Sequence, residues 1–183
     1  MRLITFIFRD IKNKLGLYLM RAGAYVRLGV FLAPGSYILH SKNVTVGKNF
    51  TMGPFAQVLC QDPDKGSKVT LGDNVSINHH VFINADCGGV ITIGNNVIIG
   101  PLTILRAANH RADEINVPIR DQGHKLGFIF VEDDVWLGSG VVVLPDVRIG
   151  RSSIIGAGSV VTNDIPAFSV AVGIPAKVVR QRR

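Results

Sequence analysis

The chain repeats every six residues over most of its length. Written in sixes, it contains five sets of three blocks, and the first residue of every block is Val, Leu, Ile or Met. The sets are VGKNFT, MGPFAQ, VLCQDP from Val46; LGDNVS, INHHVF, INADCG from Leu71; IGNNVI, IGPLTI, LRAANH from Ile93; VEDDVW, LGSGVV, VLPDVR from Val131; and IGRSSI, IGAGSV, VTNDIP from Ile149. A period of six suits neither a helix nor an unbroken strand, but it suits a short strand and a turn repeated on the sides of a prism.

Interruptions of the repeat always follow a third block, so three blocks form one coil. They cover residues 64–70, 89–92 and 111–130, and all would emerge at one corner of the prism. The first residue of each block would point into the axis, while glycine suits the tight turn beside it. The pattern predicts an all-β main body, residues 37–183, that is a parallel β-helix of about five coils with a basic C-terminal tail.

Residues 1–36 follow a different pattern, in which apolar and basic residues are interleaved. We predict a short helical segment here that caps one end of the β-helix, with peripheral contact to an anionic membrane as the alternative. No apolar run approaches the ~20 residues that cross a bilayer. Arg9 and Asp10 interrupt the first apolar stretch too early for a signal peptide. These features favour a cytoplasmic protein.

The formal net charge of +7 is concentrated near the two ends of the chain. Such an excess favours phosphate-bearing ligands, and neither end has the aromatic platforms or base-reading motif of a nucleic-acid module, so we expect no nucleic-acid partner. Cys60 and Cys87 are too few for a disulfide framework and lack the paired spacing of a zinc site. We therefore expect no metal.

The blocks resemble the hexapeptide-repeat acyltransferases over about residues 44–180. The similarity is carried by VEDDVWLGSGVVVLPDVRIG, by IGAGSVVTNDIPAFSVAVGIPAKVVR and by the interrupting loop. Within that family the chain is most similar to sugar and polysaccharide O-acetyltransferases of the galactoside, maltose and nodulation-factor type. The resemblance implies a left-handed β-helix, a homotrimer, and acetyl-CoA bound as acyl donor between neighbouring subunits.

His110 ends the block LRAANH, where the long loop 111–130 leaves the prism. Acyl transfer to a hydroxyl needs a base, and imidazole titrates in the right range. Spacing alone is equally compatible with an ordinary histidine at the root of a loop, but the resemblance implies a general base. The loop would wall an acceptor pocket. Its charged residues and His124 are open to two interpretations, acceptor contacts or solvated groups.

Asn78 and Asp86 lie eight residues apart on successive blocks. The resemblance implies that they bind sugar hydroxyls, a role that suits groups with hydrogen-bonding oxygens. The alternative is that they only shape corners of the prism, as asparagine and aspartate do in turns.

The donor end is assigned by resemblance to five residues. The backbone N–H of Ser139 would stabilise the developing oxyanion as part of the catalytic machinery and contact the donor. Ala157 and Thr162 would line the groove for acetyl-CoA, while Lys177 and Arg180 would reach its phosphates. The alternative for the first three is repeat architecture, which favours small residues at such positions.

These features predict an acetyl-CoA-dependent O-acetyltransferase that acts on a sugar hydroxyl of a cell-surface polysaccharide or its precursor, with His110 as base in a direct attack. The alternatives are an N-acetyltransferase of a nucleotide-linked amino sugar, a zinc enzyme similar to the γ-type carbonic anhydrases, and a non-catalytic trimeric scaffold. A zinc site would need His110, His124 and one of His79 or His80 to converge.

Overall fold

The computed structural model describes residues 28–39, 41–60, 62 and 65–183. The predicted helical segment lies mostly outside these residues, since residues 1–27 are not among them. Short 3-10 turns occupy Ser41–Asn43, Asp86–Gly88 and Ile119–Asp121. The strands are β1 (Tyr37–Leu39), β2 (Val44–Val46), β3 (Thr51–Met52), β4 (Gln57–Leu59), β5 (Lys68–Leu71), β6 (Ser76–Ile77), β7 (Phe82–Asn84), β8 (Val90–Ile93), β9 (Ile98–Ile99), β10 (Ile104–Arg106), β11 (Ala108–His110), β12 (His124–Leu126), β13 (Phe128–Val131), β14 (Trp136–Leu137), β15 (Val142–Val143), β16 (Val147–Ile149), β17 (Ile154–Ile155), β18 (Val160–Val161), β19 (Ser169–Val172) and β20 (Lys177–Gln181).

Three sheets form the sides of a prism, and their strands are parallel except for β20. From the first coil to the last, the strand order is β1-β4-β7-β10-β15-β18 in sheet A and β2-β5-β8-β13-β16 in sheet B. In sheet C it is β3-β6-β9-β14-β17-β19-β20. The chain visits sheets B, C and A in turn, so each coil is three strands long. From β2 to β18 this makes five coils, and the predicted β-helix is confirmed.

The axis of the prism is filled by the first residues of the six-residue blocks. Each of them from Met52 onward is buried, whereas Val46 at the first coil is partly buried. They stack in register between coils, because Leu71 pairs with Ile93 and Ile93 with Val131. The repeat therefore places one aliphatic side chain from every side of every coil into a continuous core, where burial of such side chains stabilises the fold.

Asparagines form a ladder along the turn between sheets B and C. Asn49, Asn74 and Asn96 have φ values of 55°, 54° and 56°. Asparagine is among the non-glycine residues that tolerate this left-handed region. The Nδ2 of Asn49 donates to Oδ1 of Asn74 at 2.9 Å, and Asn74 donates to Asn96 at 2.9 Å. Side-chain amides thus link the turns of successive coils.

The long excursion is a hairpin that ends before the predicted boundary at residue 130. β11 and β12 pair antiparallel, with His110 opposite His124. The chain then rejoins sheet B at Phe128, which pairs with Val90 of β8. The six-residue blocks mark only the inward Val131, so the sequence pattern did not show that the strand begins three residues earlier.

Gln122 holds the tip of this hairpin in shape. Its Nε2 donates to the carbonyl oxygens of Glu114 at 2.8 Å and Val117 at 2.7 Å. Its Oε1 accepts the backbone N–H of Glu114 at 3.1 Å. One side chain therefore satisfies three backbone groups of a segment that has little other regular structure.

The C-terminal tail folds back over the last coil. β20 runs antiparallel to β19, and Nη1 of Arg182 contacts Oδ2 of Asp134 at 3.0 Å and the carbonyl oxygen of Ser152 at 3.1 Å. Within the part of the chain that the structure describes, no helix has the length and apolar character needed to span a membrane.

Candidate active site

Most of the predicted site residues lie along two corners of the prism. The AB corner comprises the turns that lead from sheet A to sheet B, and the CA corner comprises those that lead from sheet C to sheet A. His110, Asp86 and Thr162 belong to the AB corner. The CA corner carries Asn78, Ser139 and Ala157. Because sheet A separates the two corners, one chain does not bring His110 and Ser139 together.

His110 presents its imidazole at the AB corner, on the exposed hairpin. Its ring lies against that of His124, with the ring centroids 4.2 Å apart and the planes tilted by 38°. Among the hydrogen bonds of the described residues, none involves the ring nitrogens of either histidine. His110 is therefore an accessible imidazole whose nitrogens are available to a ligand.

Asp86 lies on the same corner as His110, one coil earlier. It begins the short turn after β7, and its backbone N–H donates a hydrogen bond to Oδ1 of Asn84 at 2.9 Å. Its own Oδ1 is buried and has no hydrogen-bond partner among the described residues. A buried carboxylate oxygen without a donor is unfavourable.

The CA corner has a regular column of backbone N–H positions, one in the same place in each coil. In the first and third coils the position is proline, Pro54 and Pro101, which has no N–H. In the second coil it is His79, whose N–H donates to Oδ1 of Asn78 at 2.8 Å. The first three coils therefore offer no free N–H in this column.

The last two coils differ, because the column is continued there by Ser139 and Ala157. Both residues are exposed, and no hydrogen bond of the described residues uses either N–H. The two turns are linked by another hydrogen bond, in which the N–H of Gly158 donates to the carbonyl oxygen of Ser139 at 2.8 Å. Adjacent coils are about 4.8 Å apart. The CA corner thus has two neighbouring N–H groups without a partner in the described part of the chain, which suit the oxygens of a thioester and an amide.

Asn78 stands beside this column on the second coil, exposed to solvent. Its Oδ1 is occupied by the N–H of His79, whereas its amide nitrogen has no partner among the described residues. It can therefore donate a hydrogen bond to a ligand but is less suited to accept one.

The remaining predicted donor-site residues lie toward the C-terminal end. Thr162 is exposed at the AB corner of the fifth coil, and its Oγ1 accepts Nδ2 of Asn163 at 2.9 Å. Lys177 and Arg180 are exposed on β20 at the edge of sheet C. Neither forms an ion pair with another described residue, so both charges are available to an anion.

The histidines considered for zinc are divided between the two corners. The Nδ1 atoms of His79 and His80 lie 3.1 Å apart at the CA corner, whereas His110 and His124 lie at the AB corner. Within residues 28–39, 41–60, 62 and 65–183, no three His, Cys, Asp or Glu side chains form a potential metal site. One chain therefore does not assemble the three-histidine set.

The cysteines are poor nucleophiles in this fold. Burial raises the pKa of Cys60 to about 11, and burial followed by the charge of Asp62 raises that of Cys87. Since the thiolate is the reactive form, neither side chain suits a covalent acyl intermediate.

Two features of the site were not found from the sequence. The contact of His124 with His110 depends on the hairpin register, for which the six-residue pattern has no signal. The column of N–H groups did have a sequence signal, because one position of the middle block holds proline in the first and third coils and His79, Ser139 or Ala157 in the others.

Comparison with known proteins gives the same scaffold. Residues 128–163 match the family model described as bacterial transferase hexapeptide (six repeats). The chain is 40% identical over 117 residues to the galactoside O-acetyltransferase of Escherichia coli K12, covering 63% of this chain and 55% of that enzyme. The predicted resemblance to hexapeptide-repeat acyltransferases is therefore confirmed. The chain spans about half the length of the relatives that it matches.

Solved structures agree on the fold. AntD, an N-acyltransferase from Bacillus cereus in complex with dTDP and 3-hydroxybutyryl-CoA, superposes with a TM-score of 0.71 at 20% identity, over 83% of this chain and 79% of that one. A maltose O-acetyltransferase from Clostridium difficile 630 has a TM-score of 0.50 at 30% identity, over 83% and 66% of the two chains. The left-handed form of the β-helix, which the resemblance implied, is thereby confirmed.

Proposed function

Since this chain has the hexapeptide-repeat scaffold of the acyltransferases, we propose that it is an acetyl-CoA-dependent O-acetyltransferase acting on a sugar hydroxyl. The observation that carries the proposal is a pair of complementary corners. One presents the accessible imidazole of His110, and the other presents the free N–H groups of Ser139 and Ala157. A base and an oxyanion-binding N–H are the two groups that transfer of an acyl group from a thioester to an alcohol requires.

The complete site is formed between two chains, since sheet A keeps the two corners apart within one. His110 of one subunit would face Ser139 of the next, and a ring of three subunits closes such a head-to-tail contact. Apolar side chains near the CA corner support a subunit interface, for Trp136, Ile98 and Leu102 are 51%, 54% and 59% exposed. The tip of the His110 hairpin likewise carries Ile115, which is 98% exposed.

The chemistry follows from this arrangement. The acceptor oxygen attacks the thioester carbonyl as the imidazole of His110 takes the hydroxyl proton. The resulting oxyanion accepts a hydrogen bond from the N–H of Ser139. When the intermediate collapses, the C–S bond breaks, and the departing CoA thiolate receives the proton from the imidazolium. No enzyme nucleophile is needed, which agrees with the raised pKa of both cysteines.

Other residues hold the two substrates. The partly exposed carboxylate of Asp86 in one subunit and the free amide nitrogen of Asn78 in the next suit one accepting and one donating contact with sugar hydroxyls. Ala157 of one subunit and Thr162 of the next line the path of pantetheine, and the unpaired charges of Lys177 and Arg180 bind the phosphates of CoA. The acceptor is a cell-surface polysaccharide or its precursor, reached from the cytoplasm.

The second candidate function is N-acetylation of a nucleotide-linked amino sugar, which would use acetyl-CoA as donor and His110 as base. The likeness to AntD favours it only at the level of the fold, because the two chains are 20% identical. The accessible His110 serves either acceptor, so the assay must include both.

The test is release of CoA from acetyl-CoA, measured with simple sugars, amino sugars, nucleotide sugars and polysaccharide as acceptors. For His110→Ala we expect turnover on a hydroxyl acceptor to fall at least ~10²-fold while acetyl-CoA still binds. Lys48→Ala is the control, since it removes an exposed side chain from the turn between sheets B and C, away from both corners. Full turnover by His110→Ala would contradict the proposal, and turnover on amino sugars alone would favour the second candidate function.

A further inference from the structure

A second imidazole lies against the proposed base. β11 and β12 pair so that His110 and His124 are directly opposite, and the ring centroids are 4.2 Å apart with a tilt of 38°. Rings at this distance are in van der Waals contact, here with their planes tilted. The hairpin that sets the contact is continuous, because Asn109 also pairs with Lys125 and the N–H of Arg111 donates to the carbonyl of Gly123 at 3.0 Å.

Ring contact is the restraint that the described residues supply to His110. A histidine that acts as base must present a defined nitrogen to the acceptor, and a hydrogen bond to its other nitrogen commonly fixes this orientation. No such hydrogen bond to His110 exists within the described part of the chain. The other histidine pair differs, because His79 and His80 meet edge to face at 89° with their Nδ1 atoms 3.1 Å apart.

We propose that His124 is a positioning residue for His110, a role that rests on the proposed function. Its flat ring limits rotation of the His110 imidazole about the Cβ–Cγ bond, so that one ring edge stays turned toward the acceptor. His124 itself does not touch the reacting atoms. Loss of its ring leaves both substrates bound but lowers the fraction of molecules in which the base is aligned, and misalignment of this kind lowers kcat rather than raising KM.

Three substitutions at position 124 separate this role from others. His124→Phe keeps a flat ring and removes the nitrogens, His124→Leu fills similar space without a flat ring, and His124→Ala removes both. Lys125→Ala is the matched control, because Lys125 is the next residue of the same strand and its side chain turns to the opposite face.

We expect His124→Ala and His124→Leu to lower kcat by about 10-fold or more, with the KM for acetyl-CoA unchanged. His124→Phe should recover most of the loss, and Lys125→Ala should match the wild type. Wild-type kcat in both His124→Ala and His124→Leu would overturn the inference. A loss in His124→Phe as large as in His124→Ala would also overturn it, since the nitrogens would then be the essential part.

A spectroscopic readout tests the contact without an acceptor. The chain has five histidines, so the ring-proton signals of His110 can be assigned by their absence from the spectrum of His110→Ala. His124→Leu should shift these signals, while Lys125→Ala should not. Unshifted signals in a folded His124→Leu protein would refute the contact.

The two proposals fail separately. If His110→Ala retains full turnover, the proposed function is wrong, whatever happens at position 124. If His110→Ala loses turnover while His124→Leu and His124→Ala do not, only the positioning role is wrong.

Discussion

Replacement of Ser139 by proline is a direct test of the free N–H at the CA corner. The same position of the first and third coils already holds Pro54 and Pro101, each preceded by a glycine, as Ser139 is by Gly138. The glycine N–H makes the same inter-coil hydrogen bond in each case, at 2.8 Å for Gly53, Gly100 and Gly138. Proline should therefore fit the turn at residue 139.

The expected effect is on catalysis and not on the fold. Proline removes one N–H from the oxyanion site, and loss of one such donor lowers kcat by about 10²–10³-fold, or roughly 2.7–4 kcal/mol. Stability should change by no more than ~1 kcal/mol, because proline in a compatible turn mainly restricts the unfolded chain. Ser139→Ala is the control, since it keeps the N–H and removes only the hydroxyl.

The assay is kcat for CoA release, read beside the melting temperature of each variant. Ser139→Pro should melt near the wild type and turn over at least 10²-fold more slowly, whereas Ser139→Ala should retain activity. A folded Ser139→Pro protein with kcat near that of the wild type would refute the role of this N–H. An equal loss in both variants would point to the hydroxyl instead.

Three further predictions concern the scaffold. Ile99→Ala removes a side chain that is wholly buried in the axis and should lower the free energy of unfolding by about 2–5 kcal/mol in a denaturant titration, whereas Lys68→Ala, at an exposed position of sheet B, should change it little. Gln122→Ala removes three hydrogen bonds from the hairpin tip and should speed its cleavage by protease without changing the melting temperature; unchanged cleavage would count against that role. Hydrogen bonds from the backbone of Arg151 and then the side chain of Arg148 lower the pKa of Glu132 from 4.5, so its stabilisation is present above 4.5 and is lost as pH falls through the lowered value. The difference in melting temperature between wild type and Glu132→Gln should therefore shrink below pH 4.5, and a constant difference would contradict it.

Much of the fold could be predicted because the repeat is local. Each inward residue is followed six residues later by another, so the positions of Ile93, Ile99 and Leu105 were readable without knowing which coils touch. The start of β13 was less readable, because Phe128 and Phe130 are outward residues that the inward period does not mark. The described residues leave the predicted helical cap of residues 1–36 largely without a structural test.

The candidate site was predictable only in part, for the same reason. By itself, the sequence determined the period, the number of coils, the corner from which the hairpin leaves and the placing of His110 at its root. Only the tertiary structure decided that His110 and Ser139 lie on opposite edges of sheet A, that His124 contacts His110, and that the N–H groups of Ser139 and Ala157 are unpartnered. These relations join residues far apart in sequence through strand register and hydrogen bonding between coils, and a local period has no information about either.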